Sequence, residues 1–382
     1  MRGGGFLLTP TQKEGSEKIK KWFKSGTKQI FTLAGYAGTG KSFMTDTVIK
    51  ELNLRRYEVA YCTFTGKASL VLSRYHKGQS QVSTIHKLIY EVREDPAGEP
   101  VFVLKDGLPD LKLIVVDEAS MVNGKILRDL MSFNKPILAI GDHGQLPPIG
   151  EEANLMDNPD HKLTEILRQA ADNPIIYLSK MIREGKMMDL GKYDNKVIVM
   201  SKNDKRANPG VMLKMDQVIC GYNRTRTSFN NAMRKRLGFK GEDPVKGDKV
   251  IFLKNNWDRL LDGYNVVNGM IGNIINDPME TESKTGIKLW NLSVQPDFLK
   301  NSFNDVHVPR SDFRAKKEKI KGCDARGLDR IDYGYAITAH KSQGDSFNRV
   351  FVWNEPFGDK EDKIKWTYTA ITRAKDKLII AI

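Results

Sequence analysis

Only three cysteines occur in 382 residues, Cys62, Cys220 and Cys323, and none stands in a C-x-x-C spacing. That argues against a disulfide framework and a cysteine zinc site, and fits a reducing compartment. Long apolar runs are also missing. None approaches the ~18 residues of a membrane span, and residues 1–8 hold too short an apolar core for a secretory signal. No internal repeat and no low-complexity linker interrupts the chain. Acidic residues are the minority, 47 Asp plus Glu against 61 Lys plus Arg, for a net charge of +14. Such a balance suits a polyanion, most simply nucleic acid, although it also serves solubility. The length predicts two or three domains.

What is present centres on Gly35-Tyr36-Ala37-Gly38-Thr39-Gly40-Lys41-Ser42, which reads G-x-x-x-x-G-K-S. An apolar run, Gln29-Ile30-Phe31-Thr32-Leu33-Ala34, precedes it and a stretch with helical apolar spacing follows. Strand, glycine loop and helix are the context that separates a phosphate-binding loop from an ordinary glycine-rich turn. The glycines Gly35, Gly38 and Gly40 let backbone N–H groups of the loop, Thr39 included, turn toward a phosphate. Lys41 then reaches the β- and γ-phosphates, and the Ser42 hydroxyl sits on Mg²⁺.

Further apolar strands, around 57–65, 111–116 and 136–140, alternate with helical stretches. This pattern predicts a parallel sheet covered on both faces, with polar working residues at the carboxyl ends of its strands. One strand ends in Asp117-Glu118. Asp117 suits a Mg²⁺ ligand and Glu118 a general base, although such a pair alone is weak evidence. The next ends in Gly141-Asp142-His143-Gly144-Gln145-Leu146-Pro147-Pro148, where Gln145 is placed to orient water or sense a γ-phosphate. Between Tyr90 and Asp110 two short strands flank a Pro/Gly turn, predicting an inserted hairpin, or else a surface loop. From about Val245 the strands shorten and Gly and Asn turns multiply, as in a small β-barrel. The α/β pattern is expected to return at Ile331. The basic stretch 315–321 reads as a solvated face or a backbone-binding edge.

Taken together, these stretches resemble superfamily 1 helicases of the 1B group, the RecD-like and phage Dda-like branch. Leu8-Thr9-Pro10-Thr11-Gln12 resembles the adenine-reading Q motif, which implies Gln12 on the base. Residues 35–42 correspond to motif I, Asp117-Glu118 to motif II and residues 141–148 to motif III. Thr63-Phe64-Thr65-Gly66-Lys67-Ala68 and Ser83-Thr84-Ile85-His86 are similar to motifs Ia and Ib, implying single-strand contacts from Thr65, Lys67 and His86. Leu163-Thr164-Glu165-Ile166-Leu167-Arg168-Gln169 is similar to motif IV, which makes Arg168 a γ-phosphate contact. Tyr335-Ala336-Ile337-Thr338-Ala339-His340-Lys341-Ser342-Gln343-Gly344 resembles motif V, bringing Thr338 and His340 to nucleic acid. Tyr368-Thr369-Ala370-Ile371-Thr372-Arg373-Ala374 resembles motif VI, with Arg373 as the arginine finger. Two departures stand out. Phe64 replaces a frequent proline of motif Ia, and Ser346 replaces a ribose-contacting glutamate common after motif V in RecD-type members.

The resemblance implies an α/β fold with two RecA-like P-loop motor domains, a β-hairpin inserted in the first and a small SH3-like β-barrel in the second. The expected boundaries are 1–152 for the first, with its hairpin at about 90–109, then 153–244 with 325–382 for the second, and 245–324 for the barrel. Phe102 is the candidate tip or wedge of a strand-separating hairpin, or equally an aromatic of its core. The implied function is ATP-dependent, Mg²⁺-dependent translocation on single-stranded DNA, 5′ to 3′, with duplex unwinding at single-strand/duplex junctions in replication, recombination or repair. The alternatives are an NTP-switched single-strand-binding subunit of a larger complex and an RNA helicase. The expected setting is a monomer in a bacterial or phage-infected cytoplasm. Single-strand-binding or replisome proteins are candidate partners, and no membrane is involved.

Overall fold

The structure, a computed structural model, describes residues 8–76, 81–94, 100–147, 155–167, 172–262, 264–314, 320 and 327–382. The helices used below are α1 (Pro10–Ser25), α2 (Lys41–Glu51), α3 (Gly66–Tyr75), α4 (Ile85–Ile89), α5 (Gly124–Met131), α6 (Pro174–Arg183), α7 (Pro209–Met212), α8 (Asn223–Arg236) and α9 (Lys360–Ile371). The chain forms two compact units, one built from residues up to Met187 with Lys360–Thr372, the other from Met188–Asp359 with Arg373–Ile382.

In the first unit the strands are β1 (Ile30–Gly35), β2 (Val59–Thr63), β3 (Gln81–Thr84), β4 (Tyr90–Glu94), β5 (Pro100–Leu104), β6 (Leu113–Asp117), β7 (Ile137–Gly141) and β8 (His161–Leu163). Six of them make a parallel sheet in the order β3-β2-β6-β7-β1-β8. Side chains alternate between its faces, as the pleat demands. Phe31, Leu33, Leu113, Val115, Leu138 and Ile140 pack with Ile19 and Trp22 of α1 and Met44 and Val48 of α2. Ala34, Ile114, Val116, Ile137 and Ala139 pack on the other side with Ile85 of α4 and Ile126 and Leu130 of α5. Both faces are therefore covered, which explains strands that read as continuous apolar runs. β8 pairs with β1, so the boundary expected near residue 152 falls inside this unit. Within the same unit α9 packs on α6, with Trp366, Tyr368 and Ile371 fully buried.

Where the sequence predicts a hairpin or a surface loop, β4 and β5 pair antiparallel from Tyr90 opposite Leu104 to Glu94 opposite Pro100. Its turn lies outside the described residues.

In the second unit the strands are β9 (Gly191–Tyr193), β10 (Val197–Met200), β11 (Gln217–Cys220), β12 (Lys249–Phe252), β13 (Asn256–Leu261), β14 (Tyr264–Val266), β15 (Ile271–Ile274), β16 (Met279–Glu282), β17 (Lys288–Pro296), β18 (Phe303–Pro309), β19 (Ile331–Tyr333), β20 (Ala336–Thr338), β21 (Phe347–Trp353) and β22 (Ala374–Ala381). One sheet runs β20-β11-β21-β22-β10-β9, parallel except for β9 at its edge. A second, wholly antiparallel sheet runs β16-β17-β15-β12-β19, with β18 also on β17. The return to α/β expected at Ile331 comes slightly later. Ile331, Asp332 and Tyr333 still pair with Phe252, Ile251 and Val250 of the antiparallel sheet. One apolar core, with Val218, Phe351 and Ile379 beside Phe252, Trp290, Val308 and Tyr333, joins the two sheets.

A buried ion pair fastens α8 to the start of β12. Arg234 donates through Nε to Asp248 Oδ1 at 2.8 Å and through Nη2 to Oδ2 at 3.0 Å. Nη1 donates to the Gly241 carbonyl and Nη2 also to that of Asp243, and Tyr335 donates to Asp248 at 2.9 Å. Four of the five guanidinium N–H groups are thus paired, as a buried charge requires.

Candidate nucleotide and nucleic-acid sites

The phosphate loop forms because its backbone needs conformations that only glycine adopts cheaply. Gly38 and Gly40 lie at φ +81° and +75°, and α2 begins at Lys41 directly after them. The loop is braced from two sides. Thr9 and Gln12 make a reciprocal cap at the start of α1, in which Gln12 Oε1 accepts the Thr9 N–H at 3.0 Å. Gln12 Nε2 then donates to the Thr39 carbonyl at 2.9 Å. The residue expected on an adenine is thus buried and holds the loop itself. Lys41 Nζ donates to the carbonyls of Gly35 at 2.6 Å and Tyr36 at 3.1 Å.

The second brace was not legible in the sequence. Tyr368 of α9 accepts the Ala37 N–H at 3.0 Å and donates to Asp142 Oδ2 at 2.6 Å. Asp142 Oδ1 accepts the Gly144 N–H at 2.9 Å. Burial, with Asp142 beside it, raises the Tyr368 phenol well above its ordinary pKa, so the hydroxyl keeps its proton. The Tyr36 ring packs tilted by 42° against His143 with centroids 4.1 Å apart, and the Arg183 guanidinium lies 3.4 Å from the Tyr36 ring centroid. The signal was present in the lettering of motifs III and VI, but pairing Asp142 with Tyr368 needs the fold.

Register aligns the acidic pair with this loop. Asp117 ends β6, next to β7, which pairs with β1. Burial, reinforced by Glu118, pushes the Asp117 carboxyl up to about 6. Glu118 sits in the left-handed region at φ +53°, a conformation that costs a non-glycine residue about 1 kcal/mol. Gln145 is buried, and its Oε1 has no hydrogen-bond partner among the described residues. A buried amide oxygen left unpaired is costly, so this position suits a water or a ligand donor.

Ser42, Thr45, Asp46 and Asp117 line one small cavity. Its hydroxyl and carboxylate oxygens are hard donors that fit Mg²⁺, which takes one or two protein ligands with phosphate and water completing its shell. Among the described residues no cluster of three or more His, Cys, Asp or Glu could hold a metal alone.

Near the carboxyl edge of β2 and β3, Thr65 caps α3 by accepting the Ala68 N–H at 3.2 Å, and Lys67 lies in the first turn. His86, on α4, meets the Phe64 ring edge-on at 6.2 Å and the Tyr90 ring tilted at 5.7 Å between centroids. Burial lowers its pKa, with Lys125 adding to the effect, so it is neutral at pH 7. Phe102 lies opposite Val92 within the hairpin ladder, not at the tip, and is 49% exposed with its ring 6.3 Å from Tyr90.

The remaining predicted residues belong to the second unit or fall outside the described chain. Thr338 ends β20 opposite Cys220, and the His340 ring stacks on Phe357 at 5.8 Å. Arg373 is 5% exposed, and its Nη1 donates to the Asp345 carbonyl at 3.0 Å. Arg168, Pro148 and most of the basic stretch 315–321 lie outside the described residues.

A glycine loop closing on a lysine, a strand-end Asp-Glu pair and a parallel sheet define a P-loop nucleotide-binding protein. The chain belongs to the family described as AAA domain, whose model matches residues 8–204, and stands among the superfamily 1B helicases, with residues 333–381 matching the UvrD-like helicase C-terminal domain. It is 26% identical to the ATP-dependent RecD2 DNA helicase of Deinococcus radiodurans over 92% of its own length and 47% of that protein's. It is 24% identical to the ATP-dependent DNA helicase Pif1 of Campylobacter jejuni, over 83% of this chain and 81% of that one. The chain thus spans about half the length of the RecD2 relative. In fold it is similar to Bacteroides Pif1 bound to single-stranded DNA, with a TM-score of 0.52 and 16% identity, over 99% of this chain and 92% of the other.

Proposed function

We propose that this chain is an ATP-dependent DNA helicase that moves 5′ to 3′ along single strands and opens duplexes at junctions. The observation that carries the reading is the braced phosphate loop in one unit with a half-buried strand-end Asp-Glu pair and an unpaired Gln145 amide oxygen. That arrangement suits a site that hydrolyses a nucleotide rather than merely holding one.

In this reading Gly35, Gly38, Thr39 and Gly40 present the loop to the phosphates. Ser42 and Asp117 hold Mg²⁺, which supplies charge neutralisation when bound. Lys41 leaves its loop carbonyls for phosphate oxygens, Glu118 takes the proton of the attacking water, and Gln145 orients that water. Gln12 serves the base or, through its bond to Thr39, the shape of the loop. Arg168 and Arg373 supply positive charge to the transition state. Thr65, Lys67, His86, Thr338 and His340 contact the single strand without reading its sequence. The antiparallel sheet within 245–333 is assigned as the SH3-like insertion, and the β4–β5 hairpin as the strand-separating pin, with Phe102 on its flank. The polarity, the monomeric state, single-strand-binding or replisome partners, and a bacterial or phage-infected cytoplasm rest on the family. No helix among the described residues is long and apolar enough to cross a membrane.

The test is ATP hydrolysis with and without single-stranded DNA, for wild type and Lys41→Ala. DNA stimulation in wild type and loss of turnover by at least about 100-fold in the variant are expected. Retained turnover in Lys41→Ala would remove the phosphate-loop assignment.

A further inference from the structure

Arg183 closes α6 with a half-buried side chain to which the hydrolytic steps above give no role. Its Nε is shut off from solvent and has no hydrogen-bond partner among the described residues. The guanidinium faces rings instead, 3.4 Å from the Tyr36 centroid and 5.9 Å from that of Tyr368. A desolvated cation over an aromatic face is held there by the ring quadrupole. Packing alone would be served by an aliphatic side chain, without taking a charge out of water.

The Tyr36 ring also meets the turn that carries Gln145. His143 packs on it at 4.1 Å, and His143 Nδ1 is a second buried atom without a partner among the described residues. Burial lowers the His143 pKa, with Arg183 among the cations that add to the effect, so this ring is neutral at pH 7. A Cβ on Gly144 would lie 3.0 Å from the Tyr36 ring and 3.1 Å from the Tyr368 ring, so the turn is pressed against both. The ends of the turn are fixed elsewhere, Asp142 by the Tyr368 hydroxyl and Leu146 by its N–H to the Thr369 hydroxyl at 2.9 Å. Its middle rests on Tyr36, and Tyr36 rests on Arg183.

We infer that Arg183 is a positioning residue for the hydrolytic step, holding the 142–146 turn through the Tyr36 ring and so fixing where the Gln145 amide points. The inference rests on the assignment of Gln145 to the attacking water and deepens it. An amide that orients a water accelerates hydrolysis only while its own place is fixed to a fraction of an ångström. Gln145 is buried and its Oε1 is unpaired among the described residues, so no hydrogen bond from that oxygen sets the side chain. The backbone of the turn must do so, and the planar guanidinium covers the ring against which that backbone packs. Because Tyr36 belongs to the phosphate loop, one contact ties loop and turn together.

The test is a double-mutant cycle on ATP hydrolysis by the full chain with saturating single-stranded DNA. Gln145→Ala should lower kcat. Arg183→Gln should lower kcat about tenfold in the wild-type background and no further once Gln145 is replaced. Tyr36→Leu, which removes the ring, should behave like Arg183→Gln, and Arg183→Lys, which keeps the charge without the planar face, should fall between it and wild type. Binding of a fluorescent ADP, which makes no call on the attacking water, should stay within about twofold of wild type in Arg183→Gln. A merely structural role would lower the melting temperature but would not make the kcat loss depend on Gln145. Wild-type kcat in Arg183→Gln, a loss that persists in full beside Gln145→Ala, or an equal loss in ADP binding would each overturn the positioning role alone. Wild-type kcat in Gln145→Ala would overturn the reading of Gln145 and the positioning role with it.

Discussion

Tyr368 donates its phenolic proton to Asp142 at 2.6 Å and accepts the Ala37 N–H at 3.0 Å, so one hydroxyl joins three segments of the first unit. Tyr368→Phe keeps the ring and removes only this junction. It leaves a buried carboxylate oxygen and a loop N–H short of a partner, at a cost of about 1–3 kcal/mol. A lower unfolding midpoint and a raised KM for ATP are expected together, read by thermal denaturation and steady-state hydrolysis. An unchanged KM would mean that the loop keeps its shape without the brace.

Arg373 is assigned to the transition state, yet it also donates to the Asp345 carbonyl. Arg373→Ala should lower kcat for ATP by about 100-fold or more with little change in KM, because an arginine finger acts on charge that develops during reaction. Circular dichroism and a melting curve on the same variant separate this from lost packing. Equal losses in kcat and affinity would argue against the finger.

Much of this was legible in the residues because it is local. A G-x-x-x-x-G-K-S loop, an apolar run ending in Asp-Glu and a short Pro/Gly-separated strand pair each carry their signal within about a dozen residues. What was not legible depends on distant packing. Nothing in residues 360–371 says that α9 packs on α6 of the first unit, and nothing near 161–163 says that this short strand pairs with β1. Asp142 and Tyr368 are 226 residues apart, and their bond exists only once the sheet is formed. Composition marks a turn but not its register, so it leaves Phe102 as either tip or core aromatic, and only the register places it opposite Val92.

The half-buried histidines make stability depend on acid. Burial lowers the pKa of both His86 and His340 in the folded chain. Unfolded, each titrates near its ordinary value of about 6.5. The unfolded state therefore binds more protons below that pH, and stability rises with pH through this range. The contribution is complete above about pH 6.5 and is lost as pH falls below it. The melting temperature should drop between pH 7 and 5, and His86→Gln with His340→Gln should flatten that drop. An equally steep drop in the double variant would place the acid sensitivity elsewhere.

Arg234 and Asp248 are 3% and 0% exposed, so each depends on the other for its charge. Asp248→Ala leaves a buried guanidinium unpaired and should destabilise the chain by about 3–5 kcal/mol. Denaturant unfolding measures this directly. Because the pair belongs to the second unit, nucleotide binding to the phosphate loop should survive in the fraction that remains folded.

The most direct test of the central claim is an unwinding assay with ATP and Mg²⁺ on duplexes carrying a single-stranded tail at either the 5′ or the 3′ end. The account predicts strand separation of the 5′-tailed DNA duplex, loss of that activity in Lys41→Ala, and little separation of the 3′-tailed duplex. ATP hydrolysis stimulated by single-stranded DNA without separation of either duplex would contradict it.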